Sequence, residues 1–154
     1  MTGRGLHALL LVVTLAALEW QTQRVRDRLE AGRLLAQVEA RTQAALARRR
    51  APSTMFGEHL AMLERARALD PLEIGVPIAR GAQYLLLRRP EEAIAAYREA
   101  AALEPRPEID INLGRALMMQ GDMAAARRAF ARAVRLNPAL AAEIPPEARP
   151  TATP

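Results

Sequence analysis

One ruler of small and large residues occurs twice in this chain and limits what it can become. Leu113-Gly114, Leu117, Gly121, Ala126, Phe130, Ala133 and Pro138 mark its fixed points over residues 112–138. Moved back by 33 residues, the ruler lands on Gly81, Tyr84, Ala93, Tyr97, Ala100 and Pro105. The small residues fall where two helices must approach closely, and the large ones fill the gap beside them. Such a period implies stacked supersecondary units, none of which buries its apolar face alone. The earlier copy departs in two places: Arg80 stands for Leu113, and Arg88 for Gly121. Arg80 cannot be buried unpaired, so this copy is either splayed or gives Arg80 an acidic partner. A fainter trace lies upstream, where Leu63, Ala66 and Pro71 precede Tyr97, Ala100 and Pro105 by 34 residues. There His59 takes the place of Ala93 and Ala126, and is expected to be a capping or partly exposed histidine.

Local signals place helices on this frame. Pro77 suits a first helical turn, where its missing N–H costs nothing. Pro90 with Glu91-Glu92 opens another helix, since carboxylates favour the positive end of the dipole. Asp122 after Gly121 is a good N-cap, and Asp70-Pro71 ends the helix that begins near Thr54.

The spacing and residue types resemble the tetratricopeptide (TPR) family, a helix–turn–helix unit of about 34 residues with a W-x₂-L-G-x₂-Y…A-x₃-F…P pattern. Asp110 replaces the family's Trp, and Leu117 its Tyr. The resemblance implies an all-α superhelix whose first helices line a concave, peptide-receiving face. By matched positions that face takes Ile78, Ala82, Leu85 and Leu86 from one repeat, and Ile111, Asn112, Arg115, Met118 and Met119 from the next. Asn112 precedes the Leu-Gly pair as in many peptide-binding members, where such an Asn bonds the ligand backbone. Arg115 would meet a carboxylate, and Met118-Met119 adaptable apolar groups. The alternative is that Met118 and Leu85 pack between repeats while Arg115 pairs with Asp110 or Glu108 in solvent. The family's carboxylate clamp for chaperone tails is not expected, because the chain has no lysine.

Composition excludes more than it assigns. All 22 basic residues are Arg, which removes lysine nucleophiles and Schiff bases, and Cys is absent. Ser53 is the only serine and lies in a turn without a neighbouring His–carboxylate pair. His7 and His59 are too few for a His-based metal site, and no glycine loop reads as a phosphate cradle. No catalytic residue, metal or cofactor is expected. The net charge of +5 falls before the repeats: residues 1–50 hold 9 Arg against 4 acids, and residues 51–154 hold 13 against 13. The balanced repeats carry few aromatics, so nucleic acid is not an expected partner.

Residues 6–18, LHALLLVVTLAAL, form a run of 13 without formal charge. A membrane span needs about 20. Extended from Gly3 to Trp20, with Arg4 snorkelling, the run approaches that length. A single uncleaved anchor is the preferred reading. A cleaved signal peptide and an apolar helix buried against the repeats or a partner are the alternatives. Arg24, Arg26, Arg28 and Arg33 would hold the repeats in the cytoplasm, whereas a signal-anchor layout would place them outside.

The expected plan is therefore an all-α chain, a short TPR-like helix–turn–helix superhelix preceded by a long N-terminal helix with a transmembrane segment, of a short membrane-anchored bacterial type. It divides into a membrane anchor or signal-anchor over 1–20, an Arg-rich connecting helix over 21–52 and a degenerate half repeat over 53–73. TPR-like repeats follow over 74–106 and 107–140, then a Pro-rich disordered tail over 141–154. The first helix of the degenerate repeat should lie near 40–52, spoiled by Pro52 and the Arg48–Arg50 triplet. The expected function is that of a non-enzymatic adaptor or scaffold on a bacterial inner membrane, single-pass, binding a protein or peptide through the groove. A structural subunit or assembly factor of a larger membrane or envelope complex is the alternative, and a homo-oligomer would cover apolar surface left at the end of the short array.

Overall fold

The computed structural model describes residues 3–48 and 53–149. Among them, six α-helices follow one another: α1 (Gly3–Ala47), α2 (Ser53–Leu69), α3 (Gly75–Leu86), α4 (Pro90–Leu103), α5 (Pro107–Gln120) and α6 (Met123–Leu136). Two 3-10 helices, Pro138–Glu143 and Pro146–Ala148, close the described chain. Successive helices pair as hairpins, α1 with α2, α3 with α4 and α5 with α6. The hairpins stack through α2 on α3 and α4 on α5, and the first helices touch as α1 on α3 and α3 on α5.

The ruler has a direct steric cause. A Cβ on Gly81 would sit 2.6 Å from Cε1 and Cζ of Tyr97, and one on Gly114 would sit 2.7 Å from Cδ1 of Phe130. Each glycine lets a buried ring of the second helix press directly against the backbone of the first. Ala93, Ala100, Ala126 and Ala133 are fully buried around these rings. One core runs through α4, α5 and α6 and takes in Leu140, Ile144 and Ala148 beyond them. A second joins α1, α2 and α3 through Val38, Leu63, Ala66 and Val76.

The helix ends follow the capping signals. Gly121 is left-handed at φ 94°, and Asp122 Oδ1 accepts the Ala125 N–H at 2.9 Å. Arg88, one repeat earlier, is left-handed too, at φ 56°, without the freedom of glycine. A non-glycine residue there costs roughly 1–2 kcal/mol. Arg88 is exposed. Arg88→Gly is therefore expected to raise the urea midpoint by about 0.5–1 kcal/mol equivalent, the gain being trimmed by the looser unfolded chain. A lower midpoint would show that the arginine stem supports the turn.

Several expectations need correction. Among the described residues no helix is long and apolar enough to cross a membrane. The run from Leu6 to Leu18 is 13 residues, well short of the roughly 20 that hydrocarbon requires, and Glu19 follows it directly. The transmembrane segment, the membrane-anchored type, the membrane partner and the inner-membrane placement are overturned with it. Nor is the run buried against the repeats, since Leu9, Leu10, Leu11, Val12, Val13, Leu15 and Leu18 are all exposed.

The long N-terminal helix is present as expected, the apolar run and the Arg-rich stretch forming one continuous helix α1 to Ala47. The first helix of the degenerate repeat is α1 itself, ahead of the expected 40–52. Its buried residues are Ala31, Val38 and Ala45, spaced by seven and so on one face. His59 is neither capping nor exposed; it is fully buried. The segment from 141 expected to be disordered holds 3-10 turns through Ala148, with Ile144 and Ala148 buried. It lies against α6 and, with Leu140 just before it, adds Ile144 and Ala148 to the core at the end of the array. Residues 49–52, with two of the Arg48–Arg50 triplet and Pro52, and residues 150–154 lie outside the described residues, and the side chain of Arg4 is likewise not described.

Candidate functional site

The first helices α1, α3 and α5 lie side by side, and the nine residues expected to form a groove all fall on α3 and α5. Their accessibility divides them. Leu86 and Met119 are 39% and 44% exposed, and Arg115 is exposed as well. Ile78, Ala82, Leu85, Asn112 and Met118 are half-buried. Ile78, Leu85 and Met118 pack against the main core with part of their surface free. Ile111 is buried at 2% exposure and supports the face from behind.

The polar end of the face is already organised. Arg115 Nη1 donates to Asn112 Oδ1 at 3.0 Å, and Nη2 to Glu143 Oε2 at 3.1 Å. The alternative partners Asp110 and Glu108 are not used. Asp110 instead accepts from Arg132 Nη2 at 2.6 Å, on another side of α5. Glu143 belongs to the first 3-10 helix, so the C-terminal segment offers Arg115 a carboxylate of its own.

At the other end, α1 supplies residues the sequence reasoning missed. Val38, Thr42 and Gln43 of α1, with Ala79, Ala82 and Gln83 of α3, line a cavity of about 200 Å³. The seven-residue spacing of Ala31, Val38 and Ala45 is the signal that could have revealed this contribution. Beneath the cavity, Gln83 Nε2 donates to Thr42 Oγ1 at 3.0 Å, and His59 Nδ1 lies 3.2 Å from Gln83 Oε1 and 3.3 Å from Thr42 Oγ1. These three side chains tie α1, α2 and α3 together. His59 Nε2 is buried without a hydrogen-bond partner among the described residues.

Arg80 resolves the other departure from the ruler. Its side chain is 13% exposed, and Nη1 donates to Glu99 Oε2 at 2.9 Å. Its Nε lies 2.8 Å from Glu64 Oε1, out of line for a hydrogen bond, so that contact is ionic only. Arg67 Nε meets Glu99 at 2.9 Å as well. The acidic partner that Arg80 required is thus internal, and the repeat is not splayed. Elsewhere in the core, burial pushes the Tyr97 phenol above its ordinary range, so the group stays neutral and serves packing.

Among the described residues no group of three or more His, Cys, Asp or Glu could hold a metal ion. This is an all-α helical-repeat architecture of the TPR-like kind. Residues 81–107 and 111–140 each match a model described as tetratricopeptide repeat. The chain is similar to the crystal structure of a thermophilic TPR protein in Thermus thermophilus, with a TM-score of 0.64 and 27% identity over 84% of this chain and 69% of that one. No curated protein matches the chain.

Proposed function

We propose that the chain is a non-enzymatic adaptor that binds a peptide or protein segment on the face of its first helices. The observation that carries this is the exposed Arg115, hydrogen-bonded at 3.0 Å to the half-buried Asn112 beside the exposed Met119. A ligand carboxylate would displace Glu143 from Arg115, while Asn112 is placed to bond a peptide backbone. Leu86, Met118 and Met119 would take apolar side chains, because thioether chains adapt to irregular surfaces. Ile78, Ala82 and Leu85 would continue the contact toward the α1 cavity, and Ile111 would hold the face in shape.

The test is a crosslinking pull-down with the full chain. A hydrogen bond to a charged group contributes about 1.5–3 kcal/mol. Arg115→Glu is thus expected to weaken partner capture by roughly tenfold or more, and Asn112→Ala by less. If both substitutions leave the partner bound, the first-helix face is not the binding surface.

A further inference from the structure

A second groove, of about 490 Å³, opens where α4, α5 and α6 meet. It lies on the other side of α5 from the face just described. At 100° per residue, Asp110, Leu113 and Leu117 point away from Asn112, Arg115 and Met119. Five arginines line it, Arg98, Arg106, Arg128, Arg132 and Arg135, against one acid, Asp110. The overall charge balance of the repeats conceals this cluster.

Two of the five are occupied. Arg132 pairs with Asp110 at 2.6 Å, and Arg106 with Glu104 at 2.7 Å. Arg98, Arg128 and Arg135 make no hydrogen bond or ion pair among the described residues. Arg128, Arg132 and Arg135 follow at intervals of four and three, which puts them in one stripe along α6. Arg98 enters from α4. Between these cations the floor is apolar, formed by Ala101, Leu113, Leu117 and the largely exposed Leu136.

We infer that this groove binds an acidic segment of a partner protein, with carboxylates set on either side of an apolar residue. Guanidinium forks match carboxylates in bidentate geometry, and three of them here lack a partner. Arg128 and Arg135 stand about 10 Å apart along α6. A peptide in the polyproline II conformation, with three residues per turn and a rise of about 3.1 Å each, sets its residues i and i+3 on one side about 9 Å apart. The ligand therefore carries acids at i and i+3, with an intervening apolar side chain over Leu113, which lies between Arg128 and Arg135 along the hairpin. A nucleic acid strand fits less well, because no aromatic residue lines the groove for bases to stack on.

The experiment uses the full chain and a fluorescein-labelled peptide of three consecutive Glu-Leu-Ala-Glu units, followed by fluorescence anisotropy. Saturable binding that weakens with salt is expected. Arg128→Glu and Arg135→Glu should each weaken it by about tenfold or more. Arg128→Gln, which keeps the size without the charge, should weaken it less while leaving the circular dichroism spectrum unchanged. Arg41→Glu, an exposed arginine on α1, and Arg115→Glu, on the first-helix face, should leave it intact. The inference is overturned by absence of saturable binding, by equal binding of the peptide with Gln for Glu, or by equal weakening from Arg41→Glu. Loss through Arg115→Glu would move the peptide to the other face. Tighter binding of oligothymidylate of the same charge, lost through Arg128→Glu, would make the ligand a nucleic acid.

Discussion

Phe130→Ala is expected to lower the stability of the chain by about 3–5 kcal/mol, the range for truncating a buried aromatic ring. Phe130 is fully buried and rests on the bare backbone of Gly114. Its removal leaves a void between Ala126 and Ala133 of α6 and the backbone of α5, and the two helices cannot close it without dragging α5 from α4. Folded domains have only about 5–15 kcal/mol in hand, so the variant should lie near its unfolding threshold. Urea denaturation followed by far-UV circular dichroism measures the loss as a shift in midpoint. The pairing with glycine supplies a sharper check. In the native chain Gly114→Ala forces a methyl into the ring, and overpacking costs about 1–3 kcal/mol, more than the roughly 1 kcal/mol gained in helix propensity. In the Phe130→Ala background the obstacle is gone, and the same substitution should become stabilising. No change of sign between the two backgrounds would mean that Gly114 and Phe130 are not coupled as described.

Arg80→Ala should carry the next largest loss, about 1–3 kcal/mol, whereas Arg80→Leu should lose much less. Arg80 sits where the later repeat has Leu113, so the space accepts an apolar chain of that length. Truncation to alanine removes the stem and leaves Glu99 held by Arg67 alone, with Glu64 half in solvent. A leucine restores the packing, and replacing a partly buried ion pair by an apolar residue is often close to neutral. The partial exposure of Glu64 and Glu99 keeps the loss below that for a fully buried pair. Thermal melts at low and high salt separate the contributions. The difference between Arg80→Leu and the native chain should shrink as salt rises, and equal losses for Ala and Leu would assign the effect to charge alone.

The steric frame of the repeats was legible because it is local and periodic. Gly81 under Tyr97 and Gly114 under Phe130 recur at one interval, and nothing but close approach explains a glycine there. Contacts between elements distant in sequence were not legible. Thr42, His59 and Gln83 come from three helices, separated by 17 and 24 residues, and no spacing rule joins them. Glu143 reaches Arg115 across 28 residues, from a stretch whose proline content suggested disorder. The paired acids of Arg80, Glu64 and Glu99, belong to neighbouring helices and could be required but not named. The N-terminal helix is misleading in sequence for a different reason. Its apolar run of 13 residues approaches a span only when flanking polar residues are counted, and it falls short in both length and charge. Of the candidate face, the choice of helices followed from the resemblance, while the burial of Ile111 and the share taken by α1 depended on how the hairpins stack.

The position of Trp20 decides how this protein will look in a spectrometer. It is the single tryptophan, 60% exposed on α1, with the Arg24 guanidinium 4.6 Å from its ring. The indole is already hydrated in the native state, eleven residues ahead of Ala31, where burial of α1 begins. Its emission should therefore stay near that of water-exposed indole before and after denaturation, with at most a change in quenching by the cation. Intrinsic fluorescence would report the fraying of one helix and pass over the collapse of the repeats. The buried Tyr97, seen by near-ultraviolet dichroism, is the native-state reporter that the stacked hairpins provide.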